Sequence, residues 1–169
     1  MIGKFDANPH VLPMIPIFDR EHQENPKSME LLRQMVLTRA FPNKAENEQV
    51  KRIDEIFDSP ETLSRLCRIS GGHVRGLLRL LQESIRKQKT LPISEKTLEQ
   101  VISENRNRLT VRLSDKDWAV LRAVKKSGKI SEDEKFQELL KELFILEYRD
   151  NNGSWFDVNP ILAEAKELN

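Results

Sequence analysis

Two adjacent glycines, Gly71 and Gly72, interrupt an otherwise helical run and constrain the fold more than any other feature of this 169-residue chain. Glycine occurs at only six positions (3, 71, 72, 76, 128 and 153), so the conformational freedom it brings is concentrated at a few points. The stretch Ser70-Gly71-Gly72-His73-Val74-Arg75-Gly76-Leu77-Leu78-Arg79-Leu80-Leu81 ends one helix and opens another. The new helix carries Arg75 in its first turn and a leucine stripe behind it. Free backbone N–H groups, the positive end of the helix dipole and a nearby guanidinium together suit an anion such as phosphate. A plain helix–glycine–helix corner with solvated arginines accounts for the same residues, and the surroundings have to separate the two readings.

Those surroundings are helical. Asn25-Pro26 is a cap followed by proline at the first helical position, and Met29, Leu32, Met35 and Val36 recur at helical spacing up to Pro42. A second helix is predicted over 47–57, with Val50, Ile53, Ile56 and Phe57 on one side. Ser59-Pro60 caps a third, with Leu63, Leu66 and Cys67 on its apolar face. The glycine corner opens the fourth, which Leu91-Pro92 breaks, and Ser94 starts a fifth with Leu98, Val101 and Ile102. Residues 25–112 therefore read as a small helical bundle. Ahead of it, prolines at 9, 13 and 16 forbid a helix and spoil a central strand. Residues 1–24 read as an apolar extended segment, resembling a connection from a larger body. Phe5, Ile15 and Ile17 are expected to be uncovered, which would let the chain associate.

The pattern changes near Ser114. Ser114-x-x-Asp117 resembles a capping box leading into Trp118, Leu121 and Val124, and Gly128 ends that helix. Ser131-x-x-Glu134 is a second capping box leading into Phe136, Leu139, Leu140 and Leu143. Ile145 to Tyr148 and Trp155 to Val158 flank the turn signal Asp150-Asn151-Asn152-Gly153, and Asn159-Pro160 caps a final helix to Leu168. Helix, turn, helix and hairpin is the order of a winged helix. The expected fold is thus mainly α: a helical bundle over 25–112, then a winged helix with a small β-hairpin over 113–169.

Charged residues reach 33 % and aromatics 6 %, which suits helices around modest cores, and the net charge of +1 offers no global attraction for nucleic acid or acidic lipid. No apolar run approaches the roughly 20 residues that span a bilayer. Residues 1–18 lack an unbroken apolar signal core. A single Cys67 in an apolar pattern excludes an intrachain disulfide and fits a reducing compartment, so the expected location is cytoplasmic.

In this context residues 70–81 resemble the sensor-2 helix of AAA+ ATPases, especially the origin-recognition and STAND-like branches. There a Gly-Gly-x-x-Arg turn opens the third helix of a helical lid, and a winged helix commonly follows. Trp155-Phe156-Asp157-Val158-Asn159-Pro160 resembles the segment that often ends it. The resemblance covers roughly residues 25–165 and implies that residues 9–19 lead from an ATPase core. It also implies that Arg75 reaches the terminal phosphates of ATP, supported by Gly71, Gly72 and His73. Arginine suits that task because its planar fork stays charged and bonds two oxygens, each charge-assisted bond being worth about 1.5–3 kcal/mol.

The chain departs from that family in having no G-x-x-x-x-G-K-[ST] and no apolar strand ending in an acidic pair. ATP and Mg²⁺ are expected only with a core domain that this sequence does not contain, which makes the core the first implied partner. The chain itself is expected to be non-catalytic and to hold no metal. One cysteine without a base partner and scattered acids supply neither a nucleophile nor an acid–base pair, and His73 is remote in sequence from His10 and His22.

Charge decides what the winged helix is expected to meet. Residues 1–112 hold 19 basic and 15 acidic side chains, whereas residues 113–169 hold 9 and 12. The helix that would enter the major groove, 132–142, carries five acids against two lysines and would repel phosphate. A protein partner is therefore favoured over DNA, for which Arg149 and Arg79 are the candidate contacts, with the basic face of Arg65, Arg68, Arg79, Arg86, Lys87 and Lys89 as a further surface. The expected function is a nucleotide-sensing lid and winged-helix output module that is able to act within an oligomer. The rival is a winged-helix DNA-binding regulator with a helical dimerisation module, and a protein-binding scaffold is a third reading.

Overall fold

The computed structural model describes residues 14–129 and 134–168. The chain is mainly helical, with one small antiparallel hairpin near its end. Helix α1 (Pro26–Ala40) is capped by Asn25, whose side chain accepts from the Lys27 and Ser28 amides, and α3 (Pro60–Ile69) by Ser59, which accepts from Thr62. Helix α4 (Val74–Gln88) follows the glycine corner, and α5 (Glu95–Thr110) starts at Ser94, which accepts from Thr97. Their apolar stripes meet in one core that includes Met29, Leu32, Leu66, Leu77, Leu80 and Ile102.

The second helix differs from the continuous 47–57 predicted. It divides into α2 (Glu46–Val50) and a 3-10 turn, Ile53–Glu55. The segment ends at Phe57, which is buried and pairs as a short parallel bridge with Ile93; the Ile93 amide donates to the Ile56 carbonyl at 2.7 Å. Extended backbone at Phe57 cannot also continue a helix.

The C-terminal part has its own core around Trp118, Leu121, Phe136, Phe156 and Leu162. Helix α6 (Asp115–Ser127) opens with the full capping box, Ser114 and Asp117 exchanging side-chain and backbone bonds, and ends at Gly128 in the left-handed conformation. Helix α7 spans Glu134–Lys141, while the predicted cap Ser131 lies outside the described residues, as does Phe5. Strands β1 (Ile145–Asp150) and β2 (Gly153–Val158) pair with Tyr148 opposite Trp155 and Asp150 opposite Gly153. The final helix is shorter than predicted: α8 (Pro160–Ala163) gives way to a 3-10 turn, Lys166–Leu168. That break lets both Ala165 and Leu168 reach the core.

Residues 14–24 join the two parts. Met14 forms a parallel bridge with Tyr148 on the edge of β1, its amide donating to the Glu147 carbonyl at 2.8 Å. Ile17 is fully buried in the helical core, and Ile15 and Phe18 pack against it. The expectation that Ile15 and Ile17 are uncovered is therefore corrected: the chain's own helices cover them. Alternation along the hairpin sends Ile145, Phe156 and Val158 to the α6–α7 core and Leu146, Tyr148 and Trp155 toward Met14, so both hairpin faces are packed. At α8, adjacent side chains serve different cores, Ile161 the bundle and Leu162 the hairpin unit. No helix among the described residues is long and apolar enough to cross a membrane.

Candidate functional site

The glycine corner is a junction inside the molecule. Gly71 and Gly72 have φ of +62° and +74°, a region that L side chains rarely adopt. Ser70 shapes the turn, its hydroxyl donating to the Cys67 carbonyl at 2.6 Å and accepting from the Gly72 amide at 3.2 Å. The Gly72 carbonyl accepts the Ile15 amide, and the Gly71 carbonyl accepts the Tyr148 hydroxyl at 2.9 Å. Burial holds that phenol well above its usual pKa, so it remains a donor. A Cβ on Gly71 would meet Leu146 Cδ1 at 2.4 Å. Residues 14–24, the bundle and the hairpin thus converge on two glycines because only glycine leaves room for all three.

The predicted group divides at this point. Gly71 and Gly72 are buried, and His73 is half-buried in a small cleft of about 130 Å³ between the bundle and the hairpin unit. The His73 ring lies over the first turn of α4, so near that a Cβ on Gly76 would sit 2.9 Å from Nδ1. Burial first, then the charges of Arg75 and Arg79, lower the His73 pKa. Arg75 is exposed and does not line that cleft. With Arg79, Gln82 and Arg86 it forms a row along α4, bordered by Leu78, Leu81 and Ile85 over a shallow groove of about 620 Å³.

This row differs electrostatically from the rest of the bundle. Arg65 bonds Glu99 at 2.6 Å and Glu164 at 2.7 Å, Arg68 holds Glu24 and Glu61, and Arg106, Arg108 and Arg112 face Glu164, Glu83 and Glu142. The basic surface read from the sequence is largely neutralised at Arg65, Arg68 and Lys87, the last paired with Glu104. Among the described residues, Arg75, Arg79 and Arg86 face no carboxylate within ion-pair distance. Arg149 is likewise exposed, at the outer end of β1 and away from this row.

The connection of residues 14–24 to the hairpin was not visible in sequence. Arg20 bonds both oxygens of Asp150, at 3.1 and 3.2 Å, and the Gly153 carbonyl, with its guanidinium 4.9 Å above the Trp155 ring. His22 lies 3.4 Å from Asp157, whose carboxyl burial raises above the usual range. No local signal announces these pairs, because the partners lie 130 or more residues apart.

Among the described residues no group of three His, Cys, Asp or Glu gathers to hold a metal. Cys67 is buried, and burial pushes its thiol up to about 12. Comparison of the chain with protein-family models, curated proteins and solved structures gives no match.

Proposed function

We propose that the chain is the lid and winged-helix output module of an AAA+ or STAND-type nucleotide switch, working with a P-loop core that holds the ATP and Mg²⁺. The carrying observation is Arg75: an exposed guanidinium in the first turn of α4, without a carboxylate partner, in a bundle whose other arginines are mostly neutralised. Such a group fits one phosphate contact.

In this reading Arg75 binds the terminal phosphates more strongly in one lid position than in the other, and that difference shifts the lid. Residues 14–24 bond both the bundle and the hairpin, so the lid's rotation carries the hairpin unit with it and changes what it offers a protein partner in the cytoplasm. Neutralisation of Arg65 and Arg68 favours a protein over DNA as that partner. Catalysis belongs to the core and not to this chain.

The test is Arg75→Ala in the assembly that includes the P-loop core. Loss of one charge-assisted contact, about 1.5–3 kcal/mol, corresponds to a roughly tenfold to hundredfold weaker coupling of nucleotide to lid position. Unaltered turnover together with an unaltered nucleotide-dependent conformation contradicts the reading.

A further inference from the structure

The exposed face of α4 extends well beyond any phosphate contact at Arg75. Arg75, Arg79, Gln82 and Arg86 are spaced four, three and four residues apart, so they fall on one line along the helix. At 1.5 Å rise per residue that line is about 16 Å long. The phosphates of one nucleotide occupy only its start. Beside it runs a second line, Leu78, Leu81 and Ile85; the two leucines are half-buried, and Ile85 is 44 % exposed. The flanking acid, Glu83, is committed on the other side of the helix, to Asn105 at 2.6 Å and Arg108 at 3.0 Å.

Deepening the reading of Arg75 as a sensor, we infer that the rest of this face docks an acidic amphipathic helix of the protein that carries the P-loop core. Its carboxylates would lie along Arg79 and Arg86, and its leucine-type side chains would cover Leu78, Leu81 and Ile85. Two features select this occupant. Three arginines with no carboxylate within ion-pair distance favour negative charge in the partner. The apolar line requires apolar cover, which a nucleic-acid backbone does not supply. Helix-in-groove recognition combines both, since residues at i, i+4, i+7 and i+11 of the incoming helix match the arginine spacing.

The experiment uses the whole chain, labelled with ¹⁵N, and four probes without nucleotide. The first is a helical peptide with leucines at i, i+3 and i+7 flanked by glutamates. The second has the same charge with glutamine for leucine, the third has lysine for glutamate, and the fourth is a 20-base-pair DNA duplex. The first peptide is expected to shift the resonances of residues 75–86 selectively and to bind at least tenfold more tightly than the second and third. The double variant R79E/R86E is expected to lose at least tenfold in that affinity, while R149E, on the hairpin, leaves it unchanged. Absence of shifts on α4, shifts centred elsewhere, or equal binding of the first two peptides overturns the proposal. So does tighter binding of the duplex that R79E/R86E removes. Because no nucleotide is present, this outcome is independent of the Arg75→Ala test, and either idea can fail alone.

Discussion

The Ile15 amide donates to the Gly72 carbonyl at 3.2 Å, and a Cβ on Gly72 would lie 1.9 Å from the Ile15 oxygen. The glycine pair that reads in sequence as the rim of an anion site is thus sealed on one side by the chain's own N-terminal segment. Only the helix that it launches faces outward. The corner positions Arg75 by fixing where α4 starts and which of its faces remains free.

Gly72→Ala tests the seal. The substitution meets backbone, which cannot swing aside, and requires φ of +74°. A loss of about 3–4 kcal/mol of stability is expected in chemical denaturation. Gly153→Ala is the control: φ there is +110° and nothing lies within 4 Å of the added carbon. It should cost only backbone strain, about 1–2 kcal/mol. Equal losses for the two variants would mean that the contact with Ile15 contributes nothing.

Tyr148→Phe removes the hydroxyl that donates to the Gly71 carbonyl and keeps the ring stacked on Trp155, whose centroid is 5.4 Å away. Leaving that buried carbonyl without its donor is expected to cost about 1–2 kcal/mol in the same measurement. An unchanged midpoint contradicts the assigned bond.

Arg20→Ala detaches residues 14–24 from the hairpin tip without disturbing either core. The Trp155 indole resonance should shift, since the guanidinium above its ring is gone, and the Met14 amide, bonded to Glu147, should exchange faster. Exchange at Met14 that stays as slow as in the parent chain would show that Arg20 does not hold the segment.

His73 supplies a pH dependence. Its folded pKa lies below 6.5 because of burial and, after that, Arg75 and Arg79. Near and below pH 6.5 the unfolded chain therefore binds the proton more readily than the folded one. Its contribution to stability is present above pH 6.5 and is lost as pH falls through the lower folded value. An NMR titration of the His73 ring should show a midpoint below 6.5 that moves upward in Arg75→Ala. A midpoint insensitive to that change would remove Arg75 from the neighbourhood assigned to it.

Much of the architecture was legible because polar side chains mark its boundaries. Asn25, Ser59, Ser94, Ser114 and Asn159 each cap the helix that their position announces, and Asp150 to Gly153 makes the hairpin turn. Errors arose where a long-range contact overrides local periodicity. The end of the helix predicted over 47–57 yields to the pairing of Phe57 with Ile93, and the last helix yields to the burial of Ala165 and Leu168. Pro16 correctly excludes a helix over residues 14–18, but no local rule states which surface an extended segment will cover. Ile15 and Ile17 consequently read as uncovered when Gly72 and the bundle core receive them. The outward direction of Arg75 follows from helical period, whereas its lack of an acidic neighbour is visible only once Glu24, Glu61, Glu99 and Glu164 are seen to choose other arginines.

In the proposed function the Arg75 face meets a nucleotide-bound P-loop domain. Its most direct test places a photo-crosslinking amino acid at Gln82, on the exposed row of α4, and identifies the captured peptide by mass spectrometry in the presence of ATP or ADP. The expected capture is a peptide from a protein carrying G-x-x-x-x-G-K-[ST], with a yield that changes between the two nucleotides and loses that change in Arg75→Ala. Capture of nucleic acid, or of a protein without a P-loop at the same yield in both nucleotides, would contradict it.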